Sequence, residues 1–334
     1  MHRISVLRFV LALMVVVQHV GGLLIGTVAV EAFFAISGFL VTMIATTTYQ
    51  GRPLAYLANR ALRIFPVYWA CLAIGTAVLW LVPDIHLSVA LRWPDTTAQA
   101  ISQVTIFGLP MTDEYPKILP PAWSLHTELW LYLVNGLITA HSPRLTLFLI
   151  PFSTAIALLA GYDLLGGIPF YGHPIGNAHA FFVGSAAWQF RRVLASGHRN
   201  AVAAGISVMF AALIMLISEP GSSNVLIAAP FLVGAFLVAA IHAPRLEPGR
   251  AERFYDLLGK LSYPVFLLHF AAGMVVAALT GLPRGYALLA LTTPAVILAS
   301  FAVYWAVERP IERLRTTIRE RQSAAARSPI SLAQ

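Results

Sequence analysis

The chain has 334 residues, of which 58% are hydrophobic and 11% charged, against roughly 25% charged in a soluble domain. Together with a mean hydropathy of +0.76, this excludes an ordinary soluble enzyme, a disordered chain and a nucleic-acid binder. The single cysteine, Cys71, excludes a disulfide framework and a cysteine zinc site, and the net charge of +8 must be explained by its placement.

A helix needs about 20 apolar residues to cross the hydrocarbon. Ten candidate runs follow in chain order: 5–26, 28–48, 64–83, 122–140, 145–161, 178–190, 201–218, 224–242, 258–279 and 284–307. The stretch 100–110 is too short to cross, and 178–190 is the shortest of the ten. The first run holds Arg8 and His19 and ends without a small-residue cleavage site, so it reads as a retained span and not a signal peptide. With alternating spans, Arg92, Lys117 and Arg284 fall on one side and the other 19 of the 22 basic residues on the opposite side. The positive-inside rule then predicts both termini in the cytoplasm. The expected fold is all-α: a polytopic membrane protein of about ten transmembrane helices.

Between the spans, 51–63 (GRPLAYLANRALR) has helical apolar spacing interrupted by arginines, and is expected to lie on the inner surface. The outer loop 84–121 carries Trp93, Asp95, Asp113, Glu114, Tyr115 and Lys117. Aromatic faces beside carboxylates suit a sugar and equally suit an interfacial belt. The tail begins as a basic helix, IERLRTTIRERQ, and ends in a Ser/Ala/Pro stretch expected to be disordered.

Ionisable groups at membrane depth are costly and point to function. Six stand out: His19, Glu31, His126, Glu128, His269 and Glu308. Arg8 and His19 are eleven residues apart, so they share a helix face about 16 Å apart along the axis. A cation at the mouth with an imidazole deeper on the same face describes a slot for a long anionic ligand. The bland alternative is an arginine snorkelling to lipid phosphate and a histidine bonded to a neighbouring helix. Glu31 reaches a depth similar to His19, where a carboxylate would orient an imidazole or simply bond the two helices. Glu128, in PPAWSLHTELWLYL, is expected in the outer half, binding an acceptor hydroxyl or holding helices together. His126 faces elsewhere and reads as supporting. His269 reads equally as a pocket group or a satisfied core histidine. Glu308, beside Arg309 and Pro310, reads as an ion-pair partner. Arg60 and Arg63 share a face at the inner surface, where two guanidinium forks grip phosphates, a ligand's or a lipid's. Ser37 lacks a nucleophile-elbow frame and, with Gly38, reads as a place for close helix approach.

Taken in order, the Arg8–His19 spacing, VEAFFAISGFL, NRALRIFPVYW, PAWSLHTELWLYL, LSYPVFLLH and VERP resemble the acyltransferase-3 family of integral membrane acyltransferases over nearly the whole chain. Ala29 and Val30 stand where that family often has Gly-Val, and Glu31 replaces the commoner Asp. The resemblance implies a ten-helix core over 1–310 with a basic cytoplasmic tail at 311–334, in a bacterial inner membrane. No extracytoplasmic hydrolase-like domain is expected in the short tail. It also implies transfer of an acyl group, acetyl by default, from cytoplasmic acyl-CoA to a hydroxyl of an extracytoplasmic or lipid-linked glycan.

On this reading Arg8, Arg60 and Arg63 bind the CoA phosphates. His19 is the general base, with Glu31 orienting it and Glu128 at the acceptor. Acyl-CoA, a hydroxyl acceptor and membrane lipid are the expected partners, with no metal. The competing reading is a proton-coupled transporter or flippase of an amphiphile, whose buried ionisable groups relay protons. A third is a structural partner in a polysaccharide-assembly complex, its polar groups only packing.

Overall fold

The computed structural model describes residues 2–85, 87–162, 164–165, 172–193, 197–216, 224–242 and 249–327. Among them there are helices and no strand. That is what lipid demands of a chain that must satisfy its own backbone polar groups. The order is α1 (His2–Val16) continuing through a π-helical turn (Val17–Gly21), α2 (Gly26–Thr47), α3 (Pro53–Leu81), α4 (Thr97–Thr105) and α5 (Ala122–Leu137). After these come α6 (Pro143–Gly161), α7 (Pro174–Gln189), α8 (Gly197–Leu216), α9 (Asn224–His242), α10 (Arg250–Thr280), α11 (Tyr286–Val303), a second π-helical turn (Tyr304–Glu308) and α12 (Arg309–Arg327).

A helix occupies each of the ten apolar runs, and seven of the described helical spans are long and apolar enough to cross a membrane. The chain is an all-α polytopic membrane protein. Local chemistry sets many boundaries. Prolines open α3, α6 and α7, where a missing N–H costs nothing. Gly22 and Gly281 close helices at positive φ. Thr96 and Gln99 form a capping box on α4.

Three expectations change. The 53–63 segment is no separate surface helix. It runs unbroken into the span as α3, 29 residues long, about 43 Å, and buries Tyr56 and Arg60 against the bundle. The outer loop folds inward, with Ile106, Leu109 and Leu119 essentially unexposed. In the tail the helix extends to Arg327. Residues 328–334 and Arg245 lie outside the described residues.

Small residues decide how the helices cross. A Cβ on Gly38 of α2 would lie 1.9 Å from the Phe181 carbonyl oxygen of α7, and one on Gly184 of α7 1.7 Å from the Ala35 carbonyl oxygen. These two backbones therefore touch, and the contact sets the rotation of α2. Below it, Thr42, Asn135, Ser185 and Thr139 bond one another in a buried ring. His2 lies tilted against Tyr255 with centroids 6.2 Å apart, and Lys260 pairs with Glu312. The starts of α1, α10 and α12 thus share one arginine-rich end. At the opposite end the Gly285 N–H bonds the Val20 carbonyl, and Gln18 caps the start of α2 through the N–H groups of Gly26 and Thr27.

Candidate active site

The arginine-rich end opens into a cavity of about 320 Å3 between α1, α2, α3, α5, α10 and the α11–α12 junction. Arg8, Arg60, Arg63, Lys260 and Arg315 all line it. Some of that charge is already partnered. Arg63 is bound to Glu308 on the second π-helical turn, and Lys260 bridges Asp256 and Glu312 at 2.9 Å each. Arg60 and Arg315 converge on the amide oxygen of Asn59, at 2.7 and 3.1 Å. Among the described residues, Arg8 and Arg60 take part in no ion pair. Arg60 and Arg63 do share a cavity, as their spacing predicts, but only Arg60 keeps its charge uncommitted to a carboxylate.

The cavity narrows at Arg8, Ser37, Glu128 and Tyr263, which also line a smaller pocket of about 60 Å3. Val30, Phe33, Phe34 and Phe266 form the rest of that pocket, together with Ser124, Leu125 and Ser262. On α2 the lining residues recur at helical spacing, Val30, Phe33/Phe34, Ser37, Val41 and Ile44, so one face of α2 forms one wall of the passage. The Glu128 carboxylate accepts hydrogen bonds from the hydroxyls of Ser37 and Tyr132.

Glu128 therefore lines the throat with Arg8, on the helix into which the folded loop leads. That loop is pinned by Lys117, which is 1% exposed. Its ammonium donates to the carbonyls of Thr112 at 2.6 Å and Tyr115 at 3.1 Å. Burial pushes its pKa down to about 8, with Asp113 partly opposing.

His19 lies beyond the pocket, on the first π-helical turn. Such turns often mark functional positions, and here both carry singled-out residues, His19 and Glu308. His19 Nδ1 is 3.0 Å from His269 Nε2, and the rings stack at 5.1 Å. Phe270 packs on both imidazoles. Phe266 connects the two regions. It lines the pocket, meets Phe33 edge-on at 5.8 Å, and lies 6.4 Å from the His269 ring. On the far side Arg284 donates to the carbonyl of Gln18, the residue before His19, at 2.6 Å.

Glu31 does not meet His19. Its carboxylate accepts from the Asn177 amide of α7, and the Asn177 oxygen in turn accepts from the Gly172 N–H at 3.1 Å. The physical cause is the angular offset along α2: with Val30, Phe33 and Ser37 on the passage, Glu31 is rotated about 100° toward α7. The expected orienting partner of His19 is replaced, in space, by His269. His126 supports loop structure by accepting from Gly108 N–H, and Glu308 is the ion-pair partner that its position predicts.

Sequence reasoning assigned no site role to Ser37, Tyr132, Tyr263, Lys260 or Arg315. Ser37 lay one residue from a glycine that does mediate close approach, and that masked its role. For Tyr132 a signal existed, since it follows Glu128 by four residues and must share its face.

A family model for an acyltransferase domain, acyltransferase-3, matches residues 1–309. Among curated proteins, the exopolysaccharide production protein ExoZ of Rhizobium meliloti (strain 1021) is 31% identical over 110 residues, 33% of each chain. An O-acetyl transferase of Shigella phage Sf6 is 26% identical over 210 residues, 55% of this chain and 61% of that one. The matches thus span about a third and three fifths of these relatives. No solved structure matches.

Proposed function

The chain belongs to the acyltransferase-3 family, and from that premise we propose that it is a membrane O-acyltransferase using acyl-CoA as donor and a glycan hydroxyl as acceptor. The observation that carries the proposal is the passage. An arginine-lined cavity narrows through Arg8 and Glu128 into an apolar pocket, and Phe266 connects that pocket to His269 and, through it, to His19. A ligand with a polyanionic head and a long, uncharged arm ending in a reactive group has this shape.

Arg8 and Arg60, supported by Arg315 and by the paired Arg63, hold the phosphates at the arginine-rich end, which the positive-inside rule places in the cytoplasm. The arm passes the throat, and the Phe33–Phe266 contact must part to admit its end. His19 takes the proton of the acceptor hydroxyl while the oxygen attacks the thioester carbonyl. The C–O bond forms, the C–S bond breaks, and the departing thiolate takes the proton back from His19. Acetyl is the expected group, since the phage relative is named an O-acetyl transferase, and a bacterial inner membrane is the expected location.

The test is transfer of label from radiolabelled acetyl-CoA into glycan and lipid fractions of membranes holding the wild type or His19→Ala. Label that vanishes with equally abundant His19→Ala supports both donor and base. If CoA does not raise the melting temperature, acetyl-CoA donates no label, and Arg60→Ala is without effect on any transfer from another donor, the donor site is wrong. That outcome favours proton-coupled transport.

A further inference from the structure

His269 lies on α10, 250 positions from His19, and is wholly buried. Its Nδ1 is 2.7 Å from the carbonyl oxygen of Phe266 one turn back. A carbonyl oxygen only accepts, so the neutral ring carries its hydrogen on Nδ1. Its Nε2 is then a bare lone pair, and that lone pair faces His19 Nδ1 at 3.0 Å. A hydrogen on His19 Nδ1 satisfies that contact, since His269 Nε2 has none to give, and the Val15 carbonyl one turn back also accepts from the His19 ring. The tautomer with its hydrogen on Nδ1 leaves Nε2 unprotonated.

We propose that His269 is a positioning residue for the reaction: through the chain Phe266 C=O, His269 and His19 it fixes His19 in the tautomer whose Nε2 is the free base. The inference rests on the reading of His19 as the base. The logic resembles that of a carboxylate holding a catalytic imidazole by its Nδ1–H, with one physical difference. A carboxylate would bring a bare charge to membrane depth, where ions are costly. A second imidazole orients the first at zero formal charge. When His19 takes the acceptor proton, the new positive charge is stabilised through Nδ1–H by the lone pair of His269 and, behind it, the Phe266 carbonyl dipole. Glu31, the carboxylate nearest in sequence, is turned onto Asn177 and takes no part. Phe270, packed on both rings, holds them in register.

The test uses the full chain in nanodiscs. His269→Phe keeps ring volume but removes the acceptor, and kcat for transfer from acetyl-CoA is expected to fall by about 100-fold, the usual weight of a positioned acid–base group. The KM for acetyl-CoA should not move, because the arginine cavity lies elsewhere. His269→Gln returns an acceptor oxygen close to the lost Nε2 and should recover most of the loss. In a His19→Ala background, His269→Phe should cost nothing more, because residues acting as a unit are not additive.

Nitrogen-15 spectra of histidine-labelled protein supply a readout independent of turnover. His19 should show a protonated Nδ1 and a bare Nε2 in the wild type and lose that preference in His269→Phe. A hydrogen on His19 Nε2 in the wild type, unchanged kcat in folded His269→Phe, or a glutamine variant no better than phenylalanine would each overturn the proposal. Full activity of His19→Ala would instead sink the base assignment, with the spectra still deciding whether His269 sets the tautomer.

Discussion

The two ends of the passage are built on opposite principles. At the arginine-rich end, long flexible side chains from α1, α3, α10 and α12 surround a cavity of about 320 Å3, and their charges are shared among Asn59, Glu308, Glu312 and Asp256. Such groups re-pair readily, so the cavity suits a head group that arrives from water and leaves again. At the histidine end no carboxylate among the described residues bonds either ring. Two stacked rings are held by backbone carbonyls of their own helices, Val15 for His19 and Val265 and Phe266 for His269, and by a phenylalanine. There the hydrogen bonds have one arrangement, and geometry counts for more than charge. The difference teaches that affinity for the donor and the rate of transfer should respond to separate sets of residues.

The largest expected effect breaks the histidine end alone. With the protein at equal abundance, His19→Ala should remove transfer of label from acetyl-CoA, a loss of about 100-fold to 10,000-fold in kcat. Retention of the CoA-induced rise in melting temperature would show that the two ends are separable. An abolished thermal shift would instead tie the histidines to the donor head.

Next comes the arginine end. Arg60→Ala should raise the KM for acetyl-CoA by roughly 10-fold or more, the weight of about 1.5–3 kcal/mol for a hydrogen bond to a charged group. Its kcat should be preserved. Steady-state rates over a range of acetyl-CoA concentrations check this, and a pure kcat effect would contradict it. Glu308→Gln is smaller and informative in sign. It frees the Arg63 guanidinium, so donor affinity should hold or rise slightly even as stability falls.

A fourth experiment moves both ends together. Gly184→Ala places a methyl against the Ala35 carbonyl and forces α2 from α7. Overpacking of this kind costs about 1–3 kcal/mol. The thermal midpoint should drop with no selective change in KM.

The smallest effect lies outside both. Burial lowers the Lys117 pKa to about 8 in the fold from its ordinary 10.5, so its charged form is penalised by folding. That cost is fully present below about pH 8 and is relieved as pH rises toward 10.5, because over that window the unfolded loop binds more protons. Hydrogen-exchange protection of 106–119, corrected for intrinsic rate, should therefore grow from pH 8 to 10. The trend should disappear in Lys117→Met.

The sequence by itself determined that this is a helical membrane protein, where its ten apolar runs lie, and which few ionisable groups fall within or beside them. Each of these is a property of single residues or short segments: the cost of placing an arginine or histidine in hydrocarbon can be read at its own position. The resemblance to the acyltransferase-3 family was legible for the same reason, since its motifs are short and local.

Only the tertiary structure decided partnership. Spacing put Arg8 and His19 on one helix face, but whether His19 meets Glu31 or His269 depends on the rotation of α2. The backbone contact through Gly38 and Gly184 sets that rotation, turning Glu31 to Asn177 and Ser37 to Glu128. That Glu128 lines the throat beside Arg8 was likewise decided by how α5 packs on α2 beside α1. Contacts between residues 91 or 250 positions apart are fixed by how helices pack on one another, which no local pattern encodes.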